Sequence, residues 1–584
     1  MIRTASFVLA AVLVALACFV LARLYSYNQL PGPVFDIVIR GGLIYDGSGE
    51  APYVGDVAIS GDTIAAVGDV DGVGKLEIDA GGLAVAPGFI NMLSWATESL
   101  ILDGSSQSDL RQGVTLEVFG EGWSMGPLNE PMRRDQVRSL VDWIGSEEEV
   151  ARLFGQPEAE PPTLPWTTLG EYLEFLEAKG VAPNVASFVG ATTVRIHEIG
   201  HAFRGPTPDE LDRMRALVRQ AMEEGALGVG SSLIYAPAFY ANTDELKALA
   251  AVAAEYGGMY ISHIRSEGWQ LVEAVDELID IARATGAPAE IYHLKASGRQ
   301  NWHKLDTVIA RVEAARAEGL QITADVYPYV ASATGLNAAM PLWVQEGGFG
   351  AWRRRMMDPS IADRLEAEMM TASDTSESRL MLAGPENVMV VGFRTDSLRR
   401  YTGMRLSEIA ERRGVTPARA AVDLVVSDSS RVGAVYFMMS EDNIRKKLAL
   451  PWVSIDSDEA SIAPEGLFLR RNPHPRAYGA FARVLGKYAR DEGILTVQEA
   501  VRRFTLLPAT NLKLNRRGAL RRGYYADLAI FDLDAIIDHA TFEEPHQLAA
   551  GMRHVIVNGT PALMDGELTG ALPGRVVRGP GWRP

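Results

Sequence analysis

Residues 257–298 constrain the fold more than any other stretch of this chain. Two short apolar runs, Met259-Tyr-Ile-Ser-His263 and Glu290-Ile-Tyr-His293, are rich in β-branched and aromatic residues, and each ends in a histidine. Between them, Trp269 to Thr285 carries helical periodicity. Strand, helix and strand in that order make a β-α-β unit, with both histidines at the carboxyl ends of neighbouring parallel strands. In an α/β barrel those ends converge on one mouth, so two imidazoles there can share one metal ion. A second reading stays open on this pattern alone, in which each histidine is satisfied separately by a backbone partner.

The same alternation runs from about Leu83 to Leu507. Strand candidates are Val85–Ile90, Thr115–Phe119, Val185–Val189, Leu227–Val229, Met259–His263, Glu290–His293, Gln321–Tyr327 and Trp452–Ile455. Amphipathic segments such as Pro208–Glu224 and Thr243–Tyr256 separate most of them, which predicts a TIM-like (β/α)8 barrel over residues 85–510. Residues 346–448 are too long for one crossover and read as an inserted subdomain with its own strand at Val388–Val391. Short alternating strands with Gly and Asp turns occupy residues 35–84, and the same texture returns within 511–584. Each half has too few strands to be stable alone, so the two chain ends are expected to pair into one β-sandwich.

A length of 584 residues suffices for a large core and an accessory domain, and 22% charged residues is ordinary for a folded enzyme. A net charge of -18 argues against nucleic acid as a partner, because a phosphate backbone demands a basic face. The single cysteine, Cys18, excludes a disulfide within the chain. It lies in an uncharged stretch, Ala5 to Ala22, whose helical rise of about 27 Å approaches the apolar thickness of a bilayer. Residues 1–26 therefore read as an uncleaved transmembrane anchor in preference to a cleaved signal, followed by a linker over 27–34. The body is expected on the periplasmic or extracellular side. Self-association is left open.

Several motifs occur together and in order: Asp36-Ile-Val-Ile-Arg-Gly-Gly, Val85-Ala-Pro-Gly-Phe-Ile90, Ser262-His-Ile-Arg-Ser-Glu267, His293-Leu-Lys295, Asp325-Val-Tyr-Pro-Tyr329, Asp456-Ser-Asp458, His474-Pro-Arg476 and Gly523-Tyr-Tyr-Ala-Asp527. With them the chain resembles the N-acyl-D-amino-acid deacylase (D-aminoacylase) type of the amidohydrolase superfamily, from Phe35 to Arg578. The resemblance implies a metallohydrolase barrel flanked by a β-sandwich, and zinc-dependent hydrolysis of the amide of N-acylated D-amino acids.

Carried over residue by residue, it also marks departures. The family's first strand ends in His-x-His; here Leu93 and Trp95 stand at those positions, and neither binds a metal. A family cysteine ligand is replaced by Glu121 within Gly120-Glu-Gly122, an acceptable zinc ligand. His263 and His293 match the family's two remaining ligands, so the resemblance implies one three-ligand zinc site. Asp458 matches the catalytic aspartate, which takes a proton from water and passes it to the leaving nitrogen. Asp456 sits deeper in its strand and is the weaker candidate. Arg476 matches the arginine that grips the substrate carboxylate, with Lys295 and Tyr327 as further contacts.

His197-Glu-Ile-Gly-His201 fits the zinc-protease pattern His-Glu-x-x-His, which requires a helix carrying both histidines on one face. It follows a strand-like run and contains Gly200, so a substrate-facing loop is expected there instead. Either histidine could still swing into the mouth in place of the missing first-strand pair. Three functions remain: a one-zinc amidase acting on a small N-acylated carboxylate, a membrane-tethered binding protein that has lost turnover, and a hydrolase of cyclic amides or lactones.

Overall fold

The structure is a computed structural model that describes residues 33–158, 160–371 and 377–583. Strand β1 (Val34–Ile44) organises the first sheet. It pairs antiparallel with β2 (Tyr53–Ser60), which turns back as β3 (Thr63–Gly68). On its other side it pairs in parallel with β4 (Val73–Asp79) and, at Leu43 and Ile44, with β5 (Ala84–Pro87).

The run Val85–Ile90, expected as one barrel strand, is divided at Gly88. Val85 belongs to β5, and the barrel-side strand is β6 (Phe89–Asn91). The Gly88 N–H turns to Asp527 O at 2.8 Å, and a Cβ there would lie 2.1 Å from Thr115 Oγ1. Only glycine lets the chain step from one sheet to the other at that point.

β6 pairs in parallel with β7 (Val114–Phe119), and β7 with β8 (Asn184–Ser187). After Phe188 the chain continues as β9 (Val189–Gly190), the edge of a second parallel sheet. That sheet runs through β10 (Gly228–Ser232), β11 (Met259–His263), β12 (Ala289–Ile291) and β13 (Ile322–Val326). These strands are buried along their whole length because helices cover the outer face. Helix Leu271–Thr285, between β11 and β12, lays Val275, Leu278, Ile279 and Ile281 into the core and ends at Gly286 in the left-handed conformation.

The chain then leaves this sheet. β14 (Ala331–Gly335), β15 (Val388–Gly392) and β16 (Gly433–Phe437) form a separate antiparallel sheet before β17 (Val453–Ile455) returns beside β13. The inserted unit thus draws its first strand from residues ahead of the expected boundary at Glu346, because β14 pairs along its length with β16. Past β17, Asp458 N donates to Leu93 O at 2.9 Å and Trp95 N to Glu459 O at 3.0 Å, so the two parallel sheets also meet at their other margin.

The chain end supplies β18 (Leu528–Phe531), β19 (Met552–Val557), β20 (Thr560–Met564) and β21 (Glu567–Leu568). β18 pairs antiparallel with β5, from Leu528 opposite Pro87 to Phe531 opposite Ala84. The expected pairing of the two chain ends therefore takes the form of one nine-stranded sheet, with β4 branching from β1. Ile37, Ile39, Val57, Val85, Leu528 and Ile556 share its core.

Among the described residues no helix is long and apolar enough to cross a membrane. The anchor expected over residues 1–26 lies outside the described residues.

Candidate active site

Each candidate ligand sits at the carboxyl end of a parallel strand. His263 ends β11, His293 follows β12 by two residues, and Glu121 follows β7 across Gly120. Gly120 has φ of 109° and Gly122 of 73°, so the chain turns sharply on both sides of Glu121 and aims its carboxylate inward. His293 itself has φ of 38°, and its N–H is held by the Asp325 carboxylate. Asp458, three residues past β17, has φ of 47°. Left-handed backbone at non-glycine residues persists where the surroundings over-determine it, and it clusters at functional sites.

The expected trio converges. Glu121 Oε1 lies 2.7 Å from His263 Nδ1 and 3.0 Å from His293 Nε2. One ligand atom from each residue fits within 4.8 Å of the others, and all three residues are buried. Burial holds His263 down to about 3 and His293 well below the ordinary imidazole range, so both rings are neutral, the form that ligates metal. Burial, together with the nearby Asp458, pushes the Glu121 carboxyl well above the usual carboxylate range. A cation would relieve both the lost solvation and that repulsion, and one carboxylate with two neutral imidazoles is a fitting donor set for zinc. Among the described residues no other such group is present.

Glu267, unassigned in the sequence, braces the trio from behind. Its Oε1 lies 3.4 Å from His263 Nε2 and 3.3 Å from His293 Nδ1, the ring nitrogens turned away from Glu121. Lys295 Nζ donates to the same oxygen at 2.6 Å and lies 2.7 Å from His293 Nδ1. Arg379, from the inserted unit, donates to Glu267 Oε2 at 2.9 Å. Against the cost of burial, Lys295, His263 and Arg379 hold the Glu267 carboxyl well below its usual range. A carboxylate behind metal-ligating histidines fixes ring orientation and tautomer. Its place four residues after His263 was the available signal; Arg379, 112 residues away from Glu267, gave none.

Asp458 lies across from the trio. Its Oδ1 accepts from Trp95 Nε1 at 3.2 Å and its Oδ2 from Arg476 at 2.5 Å. Burial raises its carboxyl, while Arg476, Lys295 and Trp95 oppose the rise. Arg476 is buried with its guanidinium 4.3 Å above the Tyr327 ring, and its Nε lies 3.8 Å from Glu459 Oε2, beyond hydrogen-bond distance. Lys295 Nζ lies 5.4 Å from the same ring. Tyr327 thus offers its face to two cations, while its hydroxyl points to Met439 Sδ at 3.9 Å. Asp456 is fully buried beneath Asp458, near Asp325, and is pushed up to about 7 by burial and by Asp458.

The His197 segment differs from expectation. Helix Ala191–Ile199 carries His197, because the strand before it ends at Gly190, and the helix stops at Gly200 before His201 is reached. The two histidines therefore do not share a helical face. His197 Nδ1 pairs with Glu198 Oε1 at 2.9 Å, and neither histidine joins the trio.

The amidohydrolase family matches residues 440–562. Over 555 residues the chain is 32% identical to a D-aminoacylase of Alcaligenes xylosoxydans xylosoxydans, covering 94% of this chain and 99% of that one. The chain belongs to the D-aminoacylase type of amidohydrolase. Two solved structures extend the comparison to this amidohydrolase's fold. An N-acyl-D-glutamate deacylase from Bordetella bronchiseptica, complexed with zinc and a phosphonate mimic of the reaction's tetrahedral intermediate, superposes with a TM-score of 0.74 at 29% identity, over 94% of this chain and 100% of that one. A D-aminoacylase structure concerned with its binuclear metal center, with one-metal activation and second-metal attenuation, gives 0.74 at 32% identity over 93% and 100%.

Proposed function

We propose that this amidohydrolase is a zinc-dependent deacylase that cleaves the amide of N-acyl-D-amino acids or closely related N-acylated carboxylates. The observation that carries the reading is the meeting of Glu121 with two neutral imidazoles, 2.7 and 3.0 Å away, at strand ends facing Asp458. Glu121, His263 and His293 would hold the ion, which when bound supplies Lewis acidity to the amide carbonyl and to water. Asp458 is the proton carrier: ionised, it accepts a proton from water at one carboxylate oxygen and returns it to the leaving nitrogen. Arg476 commits one N–H to Asp458 and turns its Nε toward Glu459, 3.8 Å away, which leaves its other terminal N–H groups for an incoming carboxylate, with Lys295 beside it. Tyr327 fixes both cations through its ring face.

The parallel strands β6 to β13 and β17 are read here as one closed (β/α)8 ring, supported by the continuity of β8 into β9 and the bonds from Asp458 to Leu93 and from Trp95 to Glu459. Residues 1–26 are proposed as a membrane anchor, with the body outside the cytoplasm, on the apolar Ala5–Ala22 stretch. The test of the activity is zinc content of the purified full-length protein, measured with turnover on paired N-acetyl-D- and N-acetyl-L-amino acids. Bound zinc with release of the D-amino acids is expected. Absence of both zinc and turnover would leave the binding-protein reading in its place.

A further inference from the structure

The Trp95 indole N–H is shared between two carboxylates of the site. Nε1 lies 3.1 Å from Glu121 Oε2 and 3.2 Å from Asp458 Oδ1. Glu121 thus divides its carboxylate: Oε1 faces the two imidazoles, and Oε2 faces the indole. The indole hydrogen, about 1 Å beyond its nitrogen, lies about 2.1–2.5 Å from each oxygen, close to the distance zinc keeps from carboxylate oxygen. Two carboxylate oxygens converging on one point, on the far side of a ligand carboxylate, describe a cation position. Here a bound N–H, carrying only a partial positive charge, already fills it. The backbone that carries Trp95 is fixed on both sides of it: its own N–H is tied to Glu459 O at 3.0 Å, and Leu93, two residues earlier, is fully buried.

We propose that Trp95 is a positioning residue whose indole N–H replaces a second cation between Glu121 and Asp458, so that the site admits one zinc ion and no more. The inference rests on the metal-dependent reading given above. It also sets this chain apart from the D-aminoacylase relative described with a binuclear center and second-metal attenuation.

Full-length protein stripped with chelator and then equilibrated with increasing zinc tests both readings separately. One zinc per chain, unchanged in excess, is expected. No bound zinc would overturn the metal-dependent reading itself, whereas two zinc ions per chain would overturn the role of Trp95 alone. W95F keeps an aromatic ring but removes the donor, and W95H supplies a ligand. Cadmium NMR should show one resonance for the parent and two for W95H. Activity of the parent should change less than about twofold in excess zinc, while W95H should lose about tenfold, the scale of one charge-assisted hydrogen bond exchanged for an inhibitory ion. W95F should keep its first zinc but show a lower kcat with an unchanged KM, because Asp458 loses one of its two fixed donors. A W95F protein with parental kcat, or a W95H protein with a single resonance, would sink the proposal. Should W95H fail to fold, the W95F kcat decides, and should W95F fail, the W95H resonance count does; two zinc ions in the parent would overturn the proposal in either case.

Discussion

Arg379 donates to Glu267 Oε2 at 2.9 Å, tying the inserted unit to the carboxylate that backs both His263 and His293, the candidate metal ligands. Two residues earlier, Glu377 accepts from Trp269 N at 2.7 Å and Glu267 N at 3.2 Å, so the same segment also clasps the loop after His263. The insertion is therefore part of the support of the site. With Glu267 free to turn, His263 Nε2 and His293 Nδ1 lose their common orienting partner. R379M is expected to weaken zinc binding about 10- to 100-fold, the usual penalty for losing an outer-shell partner. Chelator competition reads this directly. R379K, which keeps the charge and can still donate one hydrogen bond, should recover part of it. Unchanged zinc affinity in R379M would mean that Lys295 alone suffices to hold Glu267.

The β-α-β unit at residues 257–298 was legible because hydrophobic period is a local property: β11 and the helix Leu271–Thr285 fall within the expected segments, while β12 stops at Ile291, two residues short of the expected strand end, because His293 turns into left-handed backbone. Glu121, His263 and His293 meet as the family resemblance implied. Features that depend on contacts between distant segments were not legible. The division at Gly88 depends on Thr115 pressing against it, and β14 is recognisable as part of the insertion only through its pairing with β16. Trp95 reads in the sequence only as a lost ligand; its use as a donor requires Glu121 and Asp458 to be seen together. The helix carrying His197 was missed because it starts at Ala191, directly after the strand end at Gly190, and runs only to Ile199 before Gly200 stops it, too short to show a helical period in the sequence.

D458N keeps shape and hydrogen bonding to Trp95 but cannot carry a proton. It is expected to lower kcat/KM by about 100- to 10,000-fold, the range for a positioned acid–base group, with zinc content unchanged. In the parent, burial raises the Asp458 carboxyl above its ordinary value. The active form is the ionised one, so the rate should rise with pH through that elevated value, and the acid limb should sit above the range of a solvated aspartate. A pH–rate profile whose acid limb persists unchanged in D458N would assign the proton transfer elsewhere.

Glu290 lies inside the parallel sheet at 0% exposure, accepting from Asn511 at 3.2 Å and from Thr323. Burial pushes its carboxyl from the ordinary 4.5 up to about 7. The folded protein therefore holds this proton more tightly than the unfolded chain does. Its contribution is fully present below the unfolded value and is lost as pH rises from about 4.5 through 7. E290Q removes the ionisation while keeping the shape. Its melting temperature should depend less on pH across that window, with a relative gain at pH 8 of at most about 3 kcal/mol. An E290Q curve parallel to that of the parent from pH 5 to 8 would show that Glu290 does not titrate there.

Gly120 places Glu121, and two separate penalties meet there. Its φ of 109° is one that side chains rarely adopt, and a Cβ would lie 2.4 Å from Phe188 O, which is backbone and cannot swing aside. Gly41 offers the control: φ is 63°, no atom lies within 4 Å of a Cβ built there, and the residue is in the sheet built from the chain ends. G41A should cost about 1 kcal/mol of backbone strain and leave zinc binding intact. G120A should cost more, because either the β7 end or the residues around Phe188 must shift, and any shift moves Glu121 Oε1 away from the imidazoles. Zinc affinity is expected to fall at least about tenfold in G120A while G41A matches the parent. If G120A binds zinc as tightly as G41A, Glu121 is not held by this turn, and the ligand geometry must be set by Trp95 and the histidines instead.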